Sequence, residues 1–312
     1  MAMISIVLPA YNEALNIVEA IKQISAHMEQ LPVTYELLFV NDGSIDQSAR
    51  ILREAVHAYP HIVAITFSRN FGKEAAIFCG LKEAKGDAVI VMDCDLQHPV
   101  AMITAFYEKW CEGYEVVEGK KLGRQQESFF HRLFAKGFYT VLQRISHISL
   151  HNASDFKLLD RKVVDALNAL PEKHTFFRAL SGWVGFRTTV VEFAVQDRFA
   201  GVSKWSFRQL WRFALDNVTS FTALPMQIVT FCGVLFFLFS VILGIDTLYN
   251  FFTNQAADGF TTVILVLLIM GSIIMFSLGV IGYYLAKIYE EIQARPRYFI
   301  SSIQRSTKEE QQ

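Results

Sequence analysis

Four acidic side chains sit where short apolar runs stop: Glu13 after ISIVL (4–8), Asp42 after YELLFV (35–40), and Asp93 and Asp95 after DAVIVM (87–92). Carboxylates gathered in one place repel one another unless a cation or several hydrogen-bond donors offset the charge. Asp93 and Asp95 are two residues apart, so both reach one point only if the chain leaves the strand and turns; Pro99 just beyond is consistent with such a bend. Oxygen ligands of this kind suit a hard divalent ion, Mg2+ or Mn2+. Neither G-x-G-x-x-G nor G-x-x-x-x-G-K-[ST] occurs in the chain, so the glycine cradles of dinucleotide, ATP and GTP sites are missing. A diphosphate would have to be held by metal and by basic side chains, and a nucleoside diphosphate sugar meets these demands. Glu13 also has an ordinary reading, since acids favour the first turn of a helix.

The elements that must position these residues alternate. Strands at 4–8, 35–40, 61–67 and 87–92 are separated by helix-period segments at 14–29, 46–58 and 73–85, which predicts right-handed crossovers and a largely parallel sheet. In such sheets ligands sit outside the carboxyl ends of the strands, where the four acids fall. The chain has 312 residues, 52% of them apolar and 19% charged, which excludes disorder and suggests about two domains. Its four cysteines, Cys79, Cys94, Cys111 and Cys232, show neither a C-x-x-C pair nor a regular spacing, so neither a disulfide framework nor a zinc site is expected. A net charge of −1 hides an asymmetry: residues 1–120 carry 9 basic and 16 acidic side chains, and residues 121–225 carry 15 and 8. The basic middle predicts contact with phosphates or an anionic membrane surface, not with nucleic acid.

Asn217–Ile245 is free of charge for 29 positions and Gly259–Ala286 for 28, each longer than the ~20 residues needed to cross a bilayer core. Two transmembrane helices are predicted, near 226–248 and 261–285. The connector 246–258 has no Lys or Arg, whereas Lys204, Arg208 and Arg212 precede the first span and Lys287, Arg295 and Arg297 follow the second. The positive-inside rule then sets both termini and the first 225 residues in the cytoplasm, at the inner membrane. The opening MAMISIVLPAYNEA lacks a basic n-region and reads as a strand, not a signal peptide. Small residues four apart, Ser240 with Gly244 and Gly282 with Ala286, are compatible with close helix approach and a homo-oligomer. Two amphipathic stretches, 129–145 and 204–221, are expected at the membrane interface. The organisation is thus a cytosolic domain (1–203), an interfacial helix (204–225), a two-helix hairpin (226–288) and a cytosolic tail (289–312).

VLPAYNE (7–13), VNDGSIDQS (40–48), SRNFGKEAA (68–76), MDCDLQHP (92–99), NASDFKLLDRKVVD (152–165) and RFAGVSKWSF (198–207) occur in that order before the two spans. The set resembles family-two inverting glycosyltransferases with the Rossmann-like A-type fold, in the branch that moves a sugar from a nucleotide donor to a polyprenyl phosphate: dolichyl-phosphate mannose synthases and bacterial undecaprenyl-phosphate glucosyltransferases. The resemblance covers nearly the whole chain. It implies a UDP-sugar donor, an undecaprenyl phosphate acceptor, and a β-linked lipid monosaccharide for modifying cell-envelope glycans.

By the same resemblance, Pro9, Tyr11, Asn12, Glu13 and Asp42 hold the nucleoside. Asp95 and Gln97 are metal ligands, with Asp93 bridging ribose and metal. Asp155 stands near the reaction centre, as a base or as an orienting carboxylate; the acceptor phosphate is already an anion, so no strong base is required to create the nucleophile. Arg198, Ser203 and Lys204 match the loop that clamps phosphate, and Arg124 and Arg132 match the acceptor loop. Two rival readings are a processive polysaccharide synthase, because Gln209-Leu210-Trp211-Arg212-Phe213 resembles Q-x-x-R-W, and a non-catalytic nucleotide-binding membrane anchor.

Overall fold

The computed structural model describes residues 1–121, 153–172, 176–194, 224–253 and 260–306. These form two units: Met1–Lys204 with Pro296–Gln312, and Trp205–Arg295. In the first unit the strands are β1 (Met3–Ala10), β2 (Thr34–Asn41), β3 (Ile62–Phe67), β4 (Ala88–Val91), β5 (Val116–Lys121), β6 (Ala153–Asp160), β7 (Thr188–Phe193) and β8 (Ile300–Arg305). They make one sheet in the order β7-β5-β6-β4-β1-β2-β3-β8. Parallel pairs β4-β1-β2-β3 form its centre, as the alternation predicts, and β5 pairs parallel with β7. β6 runs antiparallel between β4 and β5, and β8 runs antiparallel along β3, so the sheet is mixed though mostly parallel.

The central strands are largely apolar because helices cover both of their faces. Leu37, Leu38, Phe39 and Val40 are all fully buried, and so are Ile4, Ile6, Val7 and Leu8. Helix α1 (Ile17–Met28) buries Ile17, Ile21, Ile24 and Met28, a stripe at helical spacing, in the main core. Helix α2 (Ser48–Ala58) buries Leu52, Ala55 and Val56. Helix α3 (Lys73–Glu83) is buried from Ala75 to Leu81. It lies so close to β1 that a Cβ on Gly80 would stand 2.2 Å from Val7 Cγ1. Helices α4 (Met102–Cys111), α5 (Arg161–Asn168) and α6 (Phe177–Trp183) complete the unit.

Two expectations need correction. The helix predicted over 14–29 starts at Ile17: residues 14–16 form a turn in which the Asn16 N–H donates to the Glu13 carbonyl (2.9 Å), while the N–H groups of Asn12, Glu13 and Ala14 meet Ser44 Oγ, Ser48 Oγ and Asp46 Oδ2. The segment 289–312 is not simply a tail. A helix continues to Ile292, and Ile300–Arg305 form β8, which satisfies the backbone groups of the otherwise open β3 edge.

In the second unit α7 (Leu224–Phe252) and α8 (Phe260–Ile292) are long and apolar enough to cross a membrane. Phe231, Leu235, Phe237 and Leu238 on α7, and Leu267, Leu268, Met275 and Phe276 on α8, are exposed. Large apolar side chains turned outward in this way suit lipid, not water.

Candidate active site

Parallel pairing of β1 with β2 and β4 brings three carboxyl ends side by side. Beyond β1, the Asn12 side-chain oxygen accepts from the Ile45 N–H (3.0 Å) and Asn12 N–H donates to Ser44 Oγ (2.9 Å), tying the first two strand ends together. Asn12 takes φ 56°, a left-handed turn that asparagine tolerates. Glu13 Oε2 accepts from Asn16 Nδ2 at 2.5 Å. Tyr11 is exposed, and Pro9 sits within β1 opposite Val40. Beyond β2, the buried Asp42 carboxylate accepts the N–H groups of Phe71 (2.6 Å) and Gly72 (2.9 Å). Burial raises the Asp42 pKa, and those two donors oppose the rise.

Beyond β4 the chain turns as Asp93 and Asp95 require, with Leu96 at φ 59°, a strained value for a leucine. Asp95 is buried and its Oδ1 accepts the Gln97 N–H at 3.2 Å, while Asp93 N–H donates to Nδ1 of the buried His98 at 3.3 Å. The His98 ring stacks on Phe156 of β6, with centroids 4.7 Å apart and planes 14° apart. Antiparallel β6 delivers Asp155 to the same edge. Its register pairs Val91 with Lys157, and the same step continued sets Asp93 opposite Asp155.

Two cations that the sequence reading did not select fall among these acids. Lys73 Nζ, at the start of α3, lies 2.5 Å from Asp93 Oδ1 and 2.6 Å from Asp155 Oδ2. Arg178, on α6, grips Asp155 with two bonds, Nε to Oδ1 at 2.6 Å and Nη2 to Oδ2 at 2.9 Å. Burial alone would raise the Asp155 pKa, but Lys73 and Arg178 hold it well below the usual carboxylate range. Burial disfavours the charge on Lys73, yet Asp93 and Asp155 hold its pKa above the ordinary value. The neighbouring Glu74 accepts the Phe177 N–H at 2.8 Å. Its pKa is pushed up to about 7, by burial first and then by the charge of Asp155. Behind Arg178, fully buried Lys157 bonds Glu118, Ser181 Oγ (2.7 Å) and the Arg178 carbonyl (3.3 Å), which fixes α6 against β6.

Lys73 did leave a signal, since a basic residue in the first turn of a helix opposes the macrodipole and needs a local reason. Arg178 left none: its partner is 23 residues away and is met only in the folded chain. Arg124, Arg132, Arg198, Ser203 and Lys204 lie outside the described residues, as do both amphipathic stretches.

The donors at Asp93, Asp95 and Gln97 are all oxygen, which fits Mg2+ or Mn2+. Among the described residues no three His, Cys, Asp or Glu side chains group closely enough to hold an ion. Ligand oxygens and water would therefore complete its shell, the usual habit of Mg2+.

Residues 5–167 match the model of glycosyl transferase family 2. An uncharacterized glycosyltransferase of Synechocystis sp. is 39% identical over 96% of this chain and 95% of its own length. A prophage-derived bactoprenol glucosyl transferase of Shigella flexneri is 36% identical, covering 97% and 98%. Among solved structures, glucosyl-3-phosphoglycerate synthase of Mycobacterium tuberculosis, crystallised with Mn2+, UDP and phosphoglyceric acid, shares the fold with a TM-score of 0.51. It is 19% identical, over 70% of this chain and 78% of that one. With over half of its length inside the family model and relatives matched almost end to end, the chain belongs to glycosyl transferase family 2.

Proposed function

We propose that the protein transfers a glucosyl group from UDP-glucose to a polyprenyl phosphate at the cytoplasmic face of a membrane, with inversion at the anomeric carbon. The observation that carries the reading is the gathering of Asp42, Asp93, Asp95 and Asp155 at one sheet edge with Lys73 and Arg178 among them. The name of the Shigella relative supports the glucosyl donor and the lipid acceptor, and the UDP and Mn2+ bound by the M. tuberculosis enzyme support the nucleotide and a divalent ion.

In this reading Pro9, Tyr11, Asn12, Glu13 and Asp42 receive the nucleoside, a carboxylate being able to accept from uracil N3–H or a ribose hydroxyl. Asp93, Asp95 and Gln97 hold Mg2+ or Mn2+, which supplies Lewis-acid neutralisation of the leaving diphosphate. The acceptor phosphate is an oxyanion at neutral pH and attacks directly, so inversion follows. Asp155 serves as a fixed negative charge: with its pKa far below 7 it is a poor proton acceptor. Its role is to orient Lys73 and Arg178 toward the two anionic substrates. Arg124, Arg132, Arg198, Ser203 and Lys204 complete the cationic side for diphosphate and lipid phosphate.

Connectivity supports the membrane orientation. Residues on both sides of the α7–α8 hairpin belong to one folded unit, since β8 lies in the sheet begun by β1. Two crossings would return the chain to the side it left, and the basic flanks favour the cytoplasm for that side. The test is to incubate the full chain in detergent with undecaprenyl phosphate, Mn2+ or Mg2+, and a set of nucleotide sugars. A single lipid-linked glucose and released UDP are expected. A growing polymer, or no transfer from UDP-glucose, overturns the reading.

A further inference from the structure

Between the end of α8 and β8, three residues hold neighbouring parts of the fold. Arg297 Nη2 donates to the carbonyls of Leu170 (3.0 Å) and Glu172, and its guanidinium lies 5.0 Å from the centre of the Phe78 ring on α3. The Tyr298 ring stacks on Phe67 at the end of β3, 4.9 Å away and within 10° of parallel, and its hydroxyl bonds the Cys79 thiol. The Phe299 carbonyl accepts the Ser68 N–H at 3.0 Å, and its ring faces Phe71 at 6.1 Å.

Phe299 thus holds both ends of the segment 68–71. The far side of this segment rests on Gly43, where a Cβ would stand 2.3 Å from the Arg69 carbonyl carbon and 2.6 Å from Asn70 N. Gly43 also has φ 62°, so the position is closed to a side chain by conformation as well as by space. The loop is therefore seated between Gly43 and Phe299. Its last two N–H groups, on Phe71 and Gly72, fix the Asp42 carboxylate, and the next residue is Lys73.

We propose that Phe299, carried on the chain just after the second apolar helix, is a positioning residue of the nucleotide site: through the Ser68–Gly72 loop it sets the Asp42 carboxylate. The inference rests on the reading that Asp42 holds the nucleoside. It predicts that nucleotide affinity depends on a residue with no contact to Asp42, whereas affinity for the lipid does not.

Phe299 is 55% exposed, so its truncation spares the core. In the detergent-solubilised full chain, Phe299→Ala should raise the Kd of UDP, read by calorimetry, about threefold to tenfold, the range an aromatic pair is worth. KM for the nucleotide sugar should rise in step while KM for the lipid stays at the wild-type value. Phe299→Tyr should restore affinity. Arg305→Ala, which loses the ion pair from the end of β8 to Glu83 at the end of α3, should leave UDP binding unaltered. Combined with Asp42→Asn, Phe299→Ala should add nothing, because both act through one carboxylate. Unchanged UDP affinity in Phe299→Ala, full additivity, or an equal loss in Arg305→Ala overturns the inference while leaving the Asp42 reading intact. Wild-type UDP affinity in Asp42→Asn overturns both.

Discussion

Conversion of Asp155 to asparagine is the sharpest perturbation of the site, because one carboxylate there receives three charged donors. Arg178 Nε meets Oδ1 at 2.6 Å, and Arg178 Nη2 and Lys73 Nζ meet Oδ2 at 2.9 and 2.6 Å. Asparagine with its oxygen at the Oδ2 position loses the Arg178 Nε bond, turns an N–H group toward that cation, and leaves the other two bonds with a neutral acceptor. Hydrogen bonds to charged groups contribute about 1.5–3 kcal/mol each. Lys73 and Arg178 are 40% and 38% exposed, and solvent screening moves the figure to the lower end. The expected loss is about 2–3 kcal/mol, a fall in Tm of roughly 5–10 °C for a unit of this size. Removing a fixed charge beside the reaction should also lower kcat by about 10²–10³. The pH dependence separates positioning from base catalysis. Since the folded pKa of Asp155 is depressed, its stabilising contribution is full above the usual carboxylate pKa of 3.8 and is lost as pH falls below that toward the folded value. Turnover between pH 6 and 9 should therefore show no limb that belongs to Asp155. Thermal unfolding and UDP release measured across that range provide the check. An Asp155→Asn protein that melts with the wild type, or a wild-type acid limb near neutrality that vanishes in Asp155→Asn, would refute the argument.

Three further outcomes follow from the same geometry. Glu74 carries a pKa of about 7 against an ordinary 4.5, so its ionisation destabilises the fold progressively as pH rises through that window. Glu74→Gln should flatten the change in Tm between pH 5 and pH 8, and an unaltered slope would remove Glu74 as its source. Gly80→Ala forces a methyl group against the buried Val7 side chain; overpacking of this kind costs about 1–3 kcal/mol. Because α3 carries Lys73, kcat should fall together with Tm, and wild-type values of both would show that the contact relaxes freely. Asp95→Asn should abolish metal-dependent transfer in a protein that still inserts and folds; near-normal turnover would exclude Asp95 as a ligand.

The centre of the sheet was legible because it is buried on both faces. LLFV (37–40) and AVIVM (88–92) are unbroken apolar runs, and β2 and β4 fall within a residue or so of the predicted 35–40 and 87–92. The flanking strands were harder to read for a physical reason that Lys157 illustrates. It stands in the middle of β6, where its charge interrupts the apolar pattern, yet it is fully buried against Glu118 of β5. A buried ion pair between strands far apart in sequence looks polar in each of them. The acids at the three strand ends could be found because strand topology alone sends them to one edge. The cations that answer them could not all be found, because Arg178 reaches Asp155 only after α6 has docked behind β6.

The position of β8 links the two units in the order of synthesis. β8 pairs with β3 from Val63 to Phe67, but it is made only after α7 and α8. Until then β3 is an open edge, with unpaired backbone groups able to join another chain. Phe299 is also absent until then, so the Ser68–Gly72 loop lacks one of the two surfaces that seat it. The nucleotide side of the site therefore reaches its final geometry after the two apolar helices have been made. A fragment ending at residue 204 would contain every acidic side chain of the site, yet it would keep the unpaired edge and lack the contact that aligns Asp42.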